Sequence, residues 1–418
     1  MFEIIQNRIH KIIQEIYINI SSSLKISDFR KIIFSVTFFS LALWTQTIAI
    51  GWIFISETES VLLTILSFVV RHLPLMLFAP FSGTFSDRLP IKKILFTIGI
   101  FQFIVIFLLA FILEIFSGNY LIIYILIFLS GIGHAFIQPS TQKAYTDSVP
   151  KNKLMSAVST GSVFLRGIGF FSVMIGTVLF KYLGASITLY CVGSIYLLGS
   201  INSIVLLRSF LEKNYKQKHI GFFSEVKEGF STILNISLLR TLLILALIVE
   251  IFGFVFHSIL PAAAQKLLHT NVIGYGSLAS MAALGSLVGT IVLMILGNYK
   301  YKNKLLIYIT LLYGILISVF SFSNTLVVGS LIIFGVGACA AMFDSMQWTI
   351  LQSNVPSNMK GRAIGMWGFI IGFGLAGHII IGVFSDFIGI RQTLLFCGIS
   401  VCLAGLLFLL YSKRYKEK

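Results

Sequence analysis

Acidic residues are scarce in this chain. Its 418 residues carry 15 Asp and Glu against 31 Lys and Arg, and charged residues of either sign make up only 11%. A soluble domain has about a quarter of its residues charged, so a water-soluble fold is excluded. Cysteine is sparse too. Cys191, Cys339, Cys397 and Cys402 all lie inside apolar runs, which excludes a disulfide framework and a CxxC metal site and leaves them as small core residues. No GxxxxGK[ST] loop occurs, so the chain holds no P-loop for ATP, and HExxH and GxSxG are also missing. No catalytic residue is assigned; an enzyme, a metal and a bound cofactor are not expected.

What is abundant is apolar: 57% of residues are hydrophobic and the mean hydropathy is +0.96. A hydrocarbon core of about 30 Å takes roughly 20 helical residues to cross. The chain holds about twelve such runs, near 32–55, 61–84, 94–114, 120–140, 154–180, 184–207, 240–263, 274–296, 304–322, 326–349, 363–385 and 391–411. They predict an all-α membrane protein of twelve transmembrane helices. Basic residues test the layout. Arg30, Lys31, Arg88, Lys92, Lys93, Lys151, Lys153, Lys213, Lys300, Lys360 and Arg414 fall with most of the others on one side, and the opposite side receives only Lys181, Lys266 and Arg391. This bias predicts cytoplasmic termini and basic loops. The net charge of +16 is then a topology signal, and no nucleic-acid partner is needed to explain it.

The halves of the chain look alike. "VPKNKLMSA" at 149–157 and "VPSNMKGRA" at 355–363 share a pattern, and at the same offset Gly83-Thr84 recurs as Gly289-Thr290. Two six-helix pseudo-symmetric halves follow, 31–207 and 240–411, a plan that places a substrate site between the repeats. A charged cytoplasmic connector, 208–239, joins them, and a basic cytoplasmic tail, 412–418, ends the chain. Residues 1–30 are too charged for a cleaved signal; Ile4, Ile5, Ile9, Ile12, Ile13, Ile16 and Ile20 recur at helical spacing around Arg8 and Lys11, as in an amphipathic helix on the inner leaflet.

Between the second and third runs stands "SGTFSDRLPIKK", residues 82–93. Its Gly83-x-x-x-Asp87-Arg88-x-x-x-Lys92-Lys93 pattern resembles the signature loop of the major facilitator superfamily. "FRKIIFSVTFFSLALWTQTIAIGW", "RHLPLMLFAPFSGTFSDR", "FIQPSTQKAYTDSVPKNKL", "EGFSTILNISLLR" and "WTILQSNVPSNMKGRAIGMW" are similar to the bacterial exporter branch that contains enterobactin (siderophore) exporters and macrolide efflux proteins. The resemblance covers residues 28–411. Ile91, Pro90 and Phe170 depart from it, the last standing where a proline often follows Gly169. The resemblance implies the major facilitator fold in a bacterial cytoplasmic (inner) membrane, and efflux of a small molecule as the activity.

Asp87 ends the second run at the cytoplasmic face. The eleventh run starts there, near Arg362, and a helix start carries partial positive charge. Asp87 against that start would latch the halves on the cytoplasmic side, as in structures of the family. Arg88, Lys92 and Lys93 would hold the loop in the cytosol and meet acidic lipid headgroups. A purely topogenic loop explains the lysines and leaves Asp87 unexplained.

Three charges fall deep in the apolar runs. At about 1.5 Å per residue, Arg71, Arg166 and Glu250 come out roughly 15–18 Å from the nearer span end, close to the bilayer midplane. A charge there costs about 2.5–3.5 kcal/mol or more, so each is expected to face a cavity or a partner. The two arginines stay charged and suit anionic substrate groups. Glu250 can take up and release a proton, which makes it the leading proton carrier; a structural ion pair among the three is the alternative. Asp344 is a second carrier, and His257 lies two turns from Glu250 on nearly the same face. The resemblance implies that Trp44 and Gln46 of the first run line the cavity; simple packing is the alternative for the aromatic ring. His72, His134 and His378 have no ligand spacing and read as packing residues.

The expectation is a secondary-active transporter that uses the proton gradient to export a small amphipathic compound, a siderophore or macrolide-like drug, by alternating access. Proton-coupled import of an anionic metabolite, or lipid flipping, are the alternatives. Its partners are the small-molecule substrate and membrane lipids, and a monomer is expected.

Overall fold

In a computed structural model the protein is described over residues 23–115, 118–150, 153–206, 237–296, 301–354 and 360–414. The expected surface helix at 4–20 and most of the connector 208–239 lie outside the described residues. So do the side chains of Gly83, Asp87, Arg88 and Arg362, and with them the proposed cytoplasmic latch.

The described residues are helical. In chain order they form α1 (Ser27–Thr58), α2 (Val61–Arg88), α3 (Ile91–Ile115), α4 (Tyr120–Asp147) and α5 (Leu154–Leu206). Then follow α6 (Ser237–Ile248), α7 (Phe256–Ala262), α8 (Val272–Leu296), α9 (Lys302–Phe320), α10 (Leu326–Asn354), α11 (Lys360–Ile388) and α12 (Ile390–Arg414). Two π-helical turns, Val249–Gly253 and Ala263–Leu267, flank α7. Ten helices among the described residues are long and apolar enough to cross a membrane, and Gly372–Ile388 is a shorter apolar helix. The longest candidate, Thr160–Ile204, has two helices' worth of chain, with a break at Gly184 (φ 78°, ψ −179°), a conformation that only glycine adopts freely. With that helix counted twice and α11 included, the described chain accommodates the twelve crossings expected from hydropathy.

The surface inverts that of a soluble protein. Its exposed large residues are apolar, among them Phe171, Leu121, Leu331, Phe373, Phe387 and Leu410, as lipid contact requires. Backbone groups have no water to turn to in that setting, so helices satisfy them internally. Hydroxyls follow the same rule: Thr37, Thr47 and Thr177 each donate to the carbonyl four residues back, at 2.8, 2.8 and 2.7 Å.

The chain divides into two compact units. One comprises Met1–Thr47, Phe78–Lys216 and Ile291–Gly297; the other comprises Ile48–Leu77, Gln217–Thr290 and Asn298–Lys418. In the first, α3 packs along α5, with Ser200 Oγ donating to the Phe96 carbonyl at 2.7 Å and Asn202 Nδ2 to Ser35 Oγ at 3.0 Å. In the second, α9 packs along α12 and α10, and α11 packs on the π-turn after α6. The turn joining α1 to α2, with the adjoining parts of both helices, belongs to this second unit.

Candidate functional site

The seventh crossing is broken where its charge sits. Glu250 lies in the π-helical turn Val249–Gly253, closed by Phe254 N–H donating to the Val249 carbonyl at 2.9 Å. Gly253 and Pro261 both depart from the regular pattern of this crossing. Pro261 removes a backbone donor inside α7. Gly253 lies against the Tyr313 ring, and a Cβ there would come within 2.9 Å of it. π-turns inside membrane helices recur at functional positions because they redirect a side chain and free a carbonyl.

Both effects are present. The freed carbonyl of Glu250 accepts a hydrogen bond from His378 Nε2 on α11 at 3.0 Å, and the other ring nitrogen, Nδ1, lies 3.5 Å from Ser258 Oγ on α7. One turn earlier on α11, Gly374 leaves room for the Glu250 side chain; a Cβ at Gly374 would stand 2.9 Å from Glu250 Cβ and 3.5 Å from Oε2. The Phe68 ring of α2 stacks on His72 at 4.0 Å and lies 6.1 Å from His378. The partly buried Glu250 side chain has Asp344 of α10 within electrostatic reach, and Tyr313 of α9 as well. It forms no ion pair among the described residues. His257 is within reach of His378, its ring 3.9 Å from Phe256 and stacked with Phe254 at 6.2 Å. The contact that holds the turn is thus the His378–Glu250 main-chain bond, with Asp344 and the exposed His257 farther out. Among the described residues no three His, Cys, Asp or Glu converge to hold a metal ion.

The other expected site residues fall elsewhere. Arg71 is 4% exposed and within electrostatic reach of Tyr275, which stacks on Trp52 at 6.1 Å. Arg166 lies in the first unit, partly buried. Gln46 is fully buried in that unit, its Nε2 donating to Ser130 Oγ at 2.8 Å and its Oε1 accepting from Tyr196 OH at 3.3 Å. Trp44 packs against Gly169, whose added Cβ would lie 3.0 Å from the indole nitrogen. Lys92 and Lys93 start α3, Lys92 partly buried and Lys93 exposed. His378 and Ser258 had no signal in the sequence beyond being polar in an apolar run.

Apolar helices long enough to cross a membrane, one of them broken at an acid, define a multi-pass membrane protein, and the family match makes it a membrane transporter of the major facilitator type. Residues 20–418 match the transmembrane secretion effector family, and the chain belongs to that family. It is 23% identical over 364 residues to macrolide efflux protein A of Streptococcus pyogenes, covering 83% of this chain and 87% of that protein. Among solved structures, the nucleoside transporter NupG superposes with a TM-score of 0.75 at 12% identity, covering 92% of this chain and 99% of NupG. An auto-inhibited POT family peptide transporter superposes with 0.70 at 12% identity, covering 93% and 97%. At that identity the two structures speak for the fold.

Proposed function

We propose that the protein is a proton-driven exporter of a small amphipathic compound, working by alternating access in the bacterial cytoplasmic membrane with both termini in the cytosol. The observation that carries this reading is Glu250. It is a carboxyl group within a membrane span, set in a π-turn, with the Asp344 carboxyl within electrostatic reach and no ion-pair partner among the described residues. A carboxyl so placed is neutral when protonated and strongly disfavoured when bare, so it exchanges its proton only when the site meets water. Transport that alternates exposure of the site between the two sides turns that exchange into coupling. Likeness to a macrolide efflux protein supports export and makes a macrolide-like drug the first substrate class to try, with a siderophore second.

Reconstitution in lipid vesicles with an imposed pH gradient tests this, using erythromycin and a catechol siderophore as probes. Wild type is expected to move one of them only with the gradient, while Glu250→Gln keeps downhill exchange and loses gradient-driven accumulation. Wild-type transport that ignores the gradient overturns the coupling.

A further inference from the structure

The carboxylate of Asp386, two residues before the end of α11, closes over the start of α2. Its Oδ1 accepts the Val61 N–H at 2.9 Å, and its Oδ2 accepts Ser60 Oγ–H at 2.8 Å and the Leu62 N–H at 3.1 Å. A helix start leaves four amides without partners and carries partial positive charge. Here Asp386 takes the first two, Ser60 Oγ takes that of Leu63 at 3.2 Å, and the Ser60 carbonyl takes that of Thr64 at 3.2 Å. The anion that caps α2 therefore comes from a helix more than 300 residues away in the chain. One turn back on α11, Gly382 lets the backbones meet: a Cβ there would stand 3.1 Å from Leu62 Cα.

Three features distinguish this contact from a permanent structural clasp. Asp386 is exposed, so water can replace its partners. Ser60 keeps a cap on α2 whether Asp386 is present or not. Glu59, immediately before, holds φ at 53°, a left-handed conformation that a non-glycine residue keeps only when its surroundings enforce it. The turn is thus held under strain by a contact that can be exchanged for solvent.

We infer that Asp386 is a gate latch: it holds the α1–α2 turn against the end of α11 and so keeps shut the mouth of the transporter away from the lysine-rich loops. The inference rests on the alternating-access reading above. When that mouth opens to release substrate, α2 and α11 part at Gly382, Asp386 passes to water, and Ser60 alone caps α2. The latch is the residue that sets how often this happens.

The test measures the distance between spin labels at Glu57→Cys and Phe387→Cys, in protein freed of its four native cysteines and held in lipid nanodiscs. The unaltered latch is expected to give mainly the short distance. Asp386→Ala raises the population at longer distance about fivefold, the usual weight of a lost helix cap, and Asp386→Asn, which keeps the shape, gives a smaller rise. A Ser60→Cys/Asp386→Cys pair, oxidised to a disulfide, is expected to stop erythromycin or siderophore efflux in vesicles, with reduction restoring it. Efflux that continues with the disulfide formed overturns the latch. Distances unchanged in Asp386→Ala, but shifted by a pH gradient or by a probe, remove the latch and leave alternating access standing. Distances fixed under every condition remove both.

Discussion

The His378 imidazole and the Glu250 main chain are joined across 128 residues of sequence, Nε2 donating to the carbonyl oxygen at 3.0 Å. The bond lands on the one turn of the seventh crossing that has left α-helical geometry beside an acid. Without it, a carbonyl in a water-poor interior loses its partner. His378→Phe is therefore expected to lower stability by about 1–3 kcal/mol, read as an earlier thermal transition in detergent. His378→Gln, whose amide N–H reaches the same place, should recover most of the loss. Equal melting of all three proteins would mean the bond does not hold the turn.

Packing of α9 on α12 rests on two glycines in mutual contact. A Cβ on Gly398 would come within 2.6 Å of the Gly314 carbonyl oxygen, and one on Gly314 within 2.6 Å of the Gly398 carbonyl oxygen. Small residues let membrane helices approach this closely. Gly398→Ala should destabilise by about 1–3 kcal/mol through overpacking, seen as loss of monodisperse protein after mild heating. Gly167→Ala is the control: nothing lies within 4 Å of its added Cβ, so its melting should match wild type.

Gln46 was expected along the substrate path, and its amide bonds Ser130 and Tyr196. Gln46→Leu should therefore cost stability, about 1–3 kcal/mol, with the set of exported probes unchanged. A changed drug-resistance profile at normal melting temperature would return Gln46 to the substrate path.

Architecture was legible in the sequence because lipid imposes one rule on every crossing: about 20 apolar residues, with backbone bonds closed locally. Glu250 was legible for the same reason, since a charge stands out in an apolar run. What stayed hidden was pairing between distant segments. Histidine within "GHIIIGVFSD" gives no hint of a carbonyl in "VEIFG", nor does Asp386 of that stretch point to the amides of Val61 and Leu62. Helix breaks were half visible: Gly253 and Pro261 stand out as letters, but nothing in the letters places the Tyr313 ring beside Gly253. Arg71 shows the limit from the other side. It was expected at depth and is buried, with Tyr275 within electrostatic reach, while Glu250 has Asp344 within reach; neither relation can be read from spacing along the chain.

That last pairing makes a further claim testable. Two carboxyls that repel when both are charged are expected to take up and release protons as a coupled pair. Glu250→Gln and Asp344→Asn should each impair gradient-driven efflux, and the double variant should be no worse than Glu250→Gln alone, a non-additivity characteristic of residues acting as a unit. Initial rates of probe efflux in vesicles, with downhill exchange measured alongside to confirm folded protein, give the four corners of the cycle. If the losses multiply, the acids serve separate steps, and Asp344 takes its proton, or its part of the substrate, independently of Glu250.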